Sequence, residues 1–118
     1  MSGTVEITLD QAFLDAGNSV SFLEHMRARI GDQLSVVLGL ESLEFIDSSG
    51  MGALVSLARD LEARNGNLAL YGAKGAVKSA FELVYLRLKL HIFEDLESAR
   101  GKVVKLQVSD SYTPELPT

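Results

Sequence analysis

Apolar and polar residues alternate through "TVEITLD", with Val5, Ile7 and Leu9 on one side, which predicts a strand with one wet face at a sheet edge. The period then changes. After the turn signal Asp15-Ala-Gly-Asn18, Val20, Leu23, Met26 and Ile30 follow helical spacing, with Ser19 placed to cap the helix and Gly31 to stop it. "LSVVLGL", Leu34 to Leu40, is a nearly continuous apolar run, as expected of a central strand covered on both faces in a parallel sheet. A second helix opens in "FIDSSGMGALV", where Met51, Leu54, Val55, Ala58 and Leu61 form one stripe and Arg59, Asp60, Glu62 and Arg64 lie mostly off it. Asn65-Gly66-Asn67 ends that helix by supplying a left-handed position.

"LALYG" follows as another buried strand, and Val77, Phe81, Val84 and Leu88, with Tyr85 beside them, mark a third helix beginning near Lys74. "HIFED" predicts the last strand of the sheet and "LESAR" a short helix after it. Strands and helices in alternation give an α/β fold with a mostly parallel central sheet of about four to five strands and amphipathic helices packed against it. No internal repeat is present. In "GKVVKLQVSD", Val104, Leu106 and Val108 alternate as in a strand but lie past the last helix, so an added edge strand and a frayed tail both stay open. "SYTPELPT" predicts disorder, which makes residues 1–110 the domain and 111–118 a tail.

Composition narrows the class. A chain of 118 residues that is 47% apolar can bury one core but not two of ordinary size. With no cysteine there is neither a disulfide framework nor a thiolate metal site, and a reducing cytoplasm is the expected home. "MSGTVEITLDQ" lacks the basic and apolar regions of a signal peptide, and no later run is long enough to insert in a membrane. The formal charge of -5 repels phosphate backbones, which argues against direct nucleic-acid binding.

The chemistry gathers in "DSSGMG", where a strand ends and a helix begins and backbone N–H groups lack intrahelical partners. Asp47, Ser48 or Ser49 can cap the helix, while Gly50 and Gly52 leave its first turn bare enough for another protein to approach. A phosphorylated hydroxyl here gains about 1.5 to 2 negative charges beside a positively polarised helix end. The domain itself can tolerate that anion. A surface packed over the glycines cannot, because desolvating an unpaired charge is costly.

"FIDSSGMGALVSLARDLEARNGNLALYG" resembles the signature of STAS domains of the anti-sigma factor antagonist type, in which Asp-Ser-Ser-Gly follows the third strand. The similarity runs from about Thr4 to Arg100 and is strongest from Val36 to Gly72. The resemblance implies that Ser49 is phosphorylated and that the unmodified protein binds an anti-sigma factor that is also a serine kinase, freeing a sigma factor for transcription. Phosphorylation by that kinase, using ATP, would end the complex, and a PP2C-type phosphatase would restore it. The antagonist in this partner-switching scheme is a signalling protein that catalyses nothing and needs no cofactor. Asp47, Ser48, Gly50, Met51 and Gly52 would form the kinase-facing surface around Ser49. The chain departs from the family pattern in showing one strand, Thr4 to Leu9, before Asp15 where a two-strand hairpin is usual. It departs again at Gly39, where an acidic or amide residue is common, and at Tyr85-Leu86-Arg87-Leu88, where Ser-Gly-Leu often ends the third helix.

Plainer readings stand beside these. Ser49 is also simply a good cap, and Asp47 a turn residue. "GMGALV" half matches a dinucleotide fingerprint but fails at Val55, and no acidic residue in "LALYG" would take a ribose. A hydrolase using Ser49 lacks the Gly-x-Ser-x-Gly elbow. Lys74 and Lys78 can attract a phosphate or an acidic partner, though solvated charge is the simpler reading, and His25 and His91 have no ligand set nearby. A structural STAS subunit of a larger assembly, a stressosome-like scaffold or a lipid-transport ABC complex, is the competing function. The edge at Thr4 to Leu9 also allows a homodimer.

Overall fold

The computed structural model describes residues 3–101 and Val103. In chain order the elements are β1 (Thr4–Thr8), β2 (Phe13–Leu14), α1 (Ser19–Ile30), β3 (Ser35–Gly39), β4 (Phe45–Ile46), α2 (Ser48–Ala63), β5 (Leu68–Tyr71), α3 (Gly75–Leu88) and β6 (His91–Phe93). A helical segment follows over residues 96–101, with Val103 helical as well. Lys102 and residues 104–118 lie outside the described part, and with them the expected tail and most of the candidate strand at 102–108. Val103, the one described residue of that candidate, is helical and buried, not extended.

Alternation in β1 becomes a wet face and a dry one. Ile7 and, just beyond the strand, Leu9 are buried and Val5 is half-buried, while Thr4, Glu6 and Thr8 are exposed. β3 and β5 are buried at every position, and each continues an apolar run, because both faces of the sheet are covered. The four-stranded sheet has the order β1-β3-β5-β6, with every neighbouring pair parallel. β3 pairs with β1 from Thr4 opposite Ser35 to Thr8 opposite Gly39, and with β5 from Val36 opposite Leu68 to Gly39 opposite Tyr71.

Side-chain alternation along β3 divides the core. Val36 and Leu38 face one cluster with Leu68 and Leu70, and that cluster contains Phe22, Met26 and Ile30 of α1, Leu54, Leu57 and Leu61 of α2, and Val77 and Phe81 of α3. Val37 faces the other side with Ala69 and Tyr71, where Ala99 and Val103 cover them. Three helices therefore pack on one face and the C-terminal helical segment on the other. That segment is tied to the far edge by Arg100, which donates from both Nε and Nη2 to the Glu6 carboxylate, the second of these at 2.8 Å. The Tyr71 ring lies across β3 at Gly39, where a Cβ would stand 2.6 Å from Oη and 2.7 Å from Cζ. This ring accounts for the glycine at a position where the family resemblance favours a larger residue.

The start of α1 differs from expectation. α1 takes Asn18, not Ser19, at its cap position; the Asn18 carbonyl accepts from Phe22 N at 2.8 Å, while its side chain serves the preceding turn by accepting from Asp15 N. The buried stripe of α1 is Phe22, Met26 and Ile30 with Leu23 at its border, and Val20 is 70% exposed. Gly31 ends the helix with φ +58°, a conformation open to glycine. In α2 the buried positions are Gly50, Ala53, Leu54, Leu57, Ala58 and Leu61, with Met51 and Val55 at the margin, and Asn65 supplies the left-handed residue beyond it. No helix among the described residues is long and apolar enough to cross a membrane.

Candidate functional site

A second, two-stranded parallel sheet positions the first turn of α2. β2 pairs with β4, Phe13 opposite Phe45 and Leu14 opposite Ile46. The sequence reading found neither strand: it placed one strand before Asp15 and ran the central strand straight into the helix. Two residues are too few for a period to show. What fixes them is local tethering, since Glu44 N and Phe45 N both donate to the Ala12 carbonyl, at 2.7 and 3.1 Å, and Asp47 N donates to that of Leu14 at 3.3 Å.

Of the three residues able to cap α2, Asp47 does so. Its backbone is extended, Oδ1 accepts from Gly50 N at 2.9 Å, and its carbonyl accepts from Met51 N at 2.9 Å. The other carboxylate oxygen, Oδ2, accepts from Ala16 N at 3.1 Å, which joins the β2–α1 turn to the start of α2. One side chain thus holds two loops. Both hydrogen bonds that the carboxylate accepts among the described residues come from backbone N–H, so Asp47 organises the turn.

Ser48 and Ser49 are the first two residues of α2, and both are exposed. Their backbone N–H groups belong to the helix end that has no intrahelical acceptors. Gly50 and Gly52, alike in sequence, differ in role. Gly50 is buried against β2, where a Cβ would collide with the Leu14 carbonyl and lie 2.8 Å from Ile46 Cγ1. A Cβ on Gly52 would meet nothing within 4 Å. Gly50 is thus a packing glycine, and Gly52 leaves open surface one turn along from the serines. Met51 is half-buried and packs against the core. The predicted residues Asp47, Ser48, Ser49, Gly50, Met51 and Gly52 form one continuous turn, of which Ser48, Ser49 and Gly52 reach the outside.

The other candidates lie elsewhere. Lys78 is 3.8 Å from the Glu94 carboxylate and lines a groove of about 340 Å³ with Ala73, Phe81, Ile92 and Phe93, on the β6 side of α3. Lys74 is exposed ahead of α3. His25 borders a groove between α1 and the end of β1, whereas His91 lies in β6 at the opposite edge of the sheet, so the two do not converge.

Sequence reasoning missed the aromatic pair beside the turn. Phe13 and Phe45 point outward from β2 and β4 while Leu14 and Ile46 point inward, leaving the two phenylalanines 53% and 46% exposed. The signal was present as "AFLD" and "EFID", two Phe-apolar-Asp triplets whose similarity reflects the parallel pairing of the strands.

Comparison with known proteins agrees with this architecture. The family model for the STAS domain matches residues 2–99. A Thermotoga maritima protein provisionally assigned as an anti-sigma factor antagonist superposes with a TM-score of 0.71 at 21% identity, over 82% of this chain and 86% of that one. The anti-sigma factor antagonist SpoIIAA in its unphosphorylated form gives 0.57 at 21% identity, over 86% and 89% of the two chains. The murine anion transporter Slc26a9 gives 0.70 at 22% identity, over 88% of this chain but only 18% of the transporter. Likeness at these identities shows a shared fold. The fold, the Asp-Ser-Ser-Gly turn at the start of α2 and the family match over nearly the whole described chain lead to one conclusion: this chain belongs to the STAS domain family.

Proposed function

We propose that the protein is an anti-sigma factor antagonist that binds an anti-sigma factor serine kinase and is switched off by phosphorylation of Ser49. The observation that carries this reading is the exposed Ser49 hydroxyl on the first turn of α2, held in place by Asp47 rather than used as the cap itself. Because Asp47 performs the capping, Ser49 can be esterified without loss of a hydrogen bond the fold depends on. The phosphate would gain the polarised helix end and put a hydrated dianion on the face where Ser48 and Gly52 are open to a partner. Proton removal from the serine falls to the kinase, so this chain has no catalytic residue, and a PP2C-type phosphatase resets it in the cytoplasm. The outer edge of β1, unpaired among the described residues, supports a homodimer as well.

The structural-subunit reading draws support from one specific observation, the superposition on a domain of a membrane transporter. In that case the same turn docks permanently and no kinase acts on it. Titration of the cognate serine kinase with unmodified protein and with Ser49→Asp separates the two. The switch predicts at least a tenfold loss of affinity in the variant, and equal binding contradicts it.

A further inference from the structure

The outward Phe13 and Phe45 rings have no role in the core, and both stand at the turn that holds Ser49. Phe13 precedes Leu14, whose carbonyl covers Gly50, and Phe45 lies two residues before Asp47 in the strand that leads into α2. Two half-exposed phenylalanines directly opposite one another on a sheet form a single apolar patch. Resting on the reading of Ser49 as the partner-facing residue, we infer that Phe13 and Phe45 are the anchors of that contact: the kinase seats both rings in an apolar recess bordered by its own basic side chains.

Size and charge identify the occupant. The exposed halves of the two rings offer roughly 200 Å² together, against roughly 800 Å² that a stable dimer takes from each partner. They are too small to hold a second copy by themselves. They are suited to be the centre of a wider reversible contact that includes Ser48, Ser49 and Gly52. Segments 1–26 and 30–58, which supply β2, β4 and the start of α2, contain no lysine or arginine, while Asp15, Glu44 and Asp47 flank the rings. Lys78, a basic residue of neighbouring α3, is turned to Glu94 on the β6 side. An acidic border around an apolar centre calls for a partner with the inverse arrangement, which also speeds encounter at low salt.

The test uses the full-length protein and the serine kinase purified from its own cells by its transfer of phosphate to Ser49. Phe13→Ser and Phe45→Ser are each expected to weaken kinase binding on the order of 30-fold, with Leu83→Ser, at an exposed leucine of α3, changing it less than twofold. Wild-type affinity should fall as salt is raised. If a serine variant loses its native circular dichroism, 4-fluorophenylalanine in the unmutated chain replaces it, and the fluorine resonances of residues 13 and 45 are expected to shift when kinase is added. Folded variants that bind and are phosphorylated as the wild type is, or resonances that ignore the kinase, overturn the inference and leave the Ser49 switch standing. Resonances that shift on dilution alone, marking a second copy, or only on removal of residues 104–118, marking the chain's own end, overturn it too. If no kinase acts on Ser49 at all, the proposed function fails and takes this inference with it.

Discussion

The Leu14 carbonyl occupies the space that a side chain on Gly50 would need, and this contact sets β2 directly over the first turn of α2. Gly50→Ala should therefore force β2 off the helix and destabilise the protein by about 2–3 kcal/mol, more than offsetting the better helix propensity of alanine. Gly52→Ala, with open space around it, should instead be neutral or stabilising by up to about 1 kcal/mol. Urea unfolding of the two variants gives the comparison. Equal effects would mean that the two glycines do not divide packing and access between them.

Asp47 accepts hydrogen bonds from Gly50 N and Ala16 N with different oxygens, so its truncation releases two loops at once. Asp47→Ala is expected to cost about 2 kcal/mol, the sum of an ordinary cap and one further hydrogen bond. Asp47→Ser, which can keep the cap but not reach Ala16, should lose roughly half as much. Chemical denaturation measures both, and an alanine variant as stable as wild type would remove Asp47 from its organising role.

Because Ser49 is exposed and carries no capping bond, a negative charge there should leave the fold intact. Ser49→Asp is predicted to change stability by less than about 1 kcal/mol in either direction, the helix-end attraction being opposed by repulsion from nearby Asp47. Thermal melts of wild type and variant check this. A large loss of stability would show that the hydroxyl belongs to the fold and not to a switch.

The C-terminal helical segment is clamped to β1 by Arg100 and Glu6, and hydrogen bonding from Arg100 holds the Glu6 carboxyl below its usual range. A lowered folded-state value means that the stabilisation is present above the ordinary glutamate range and is lost as the pH falls through the folded value. Both side chains are well exposed, so solvent screens the pair and the effect is modest. Amide exchange within residues 96–101, corrected for intrinsic rates, should lose protection as the pH drops below about 4.5 in the wild type. Glu6→Gln should show the weaker protection at every pH. Identical pH profiles would mean that the clamp does not hold the segment.

The parts of this fold that were legible in the sequence are those whose burial repeats along the chain. β3 and β5 read as apolar runs because helices cover one face and Leu96, Ala99 and Val103 the other. The three long helices read through their stripes, although in α1 the stripe containing Met26 and Ile30 begins at Phe22 and not at Val20. Both alternatives share the same two later residues, and only the packed sheet decides between them. β2 and β4 left no trace in the periodicity, since a two-residue strand is fixed by carbonyls of Ala12 and Leu14 that the sequence does not announce. For the same reason Asp47, Ser48 and Ser49 were equivalent as caps until the fold put Ala16 N within reach of one of them. The different duties of Gly50 and Gly52 and the exposure of the Phe13–Phe45 pair follow from that same small sheet.

Phosphopeptide mass spectrometry of the protein taken from its own cells, in growth and under stress, bears most directly on the switch. The account predicts phosphate on Ser49 in one of the two conditions and its depletion in the other. A Ser49 that stays unmodified in both would contradict it and leave the turn as a permanent docking surface.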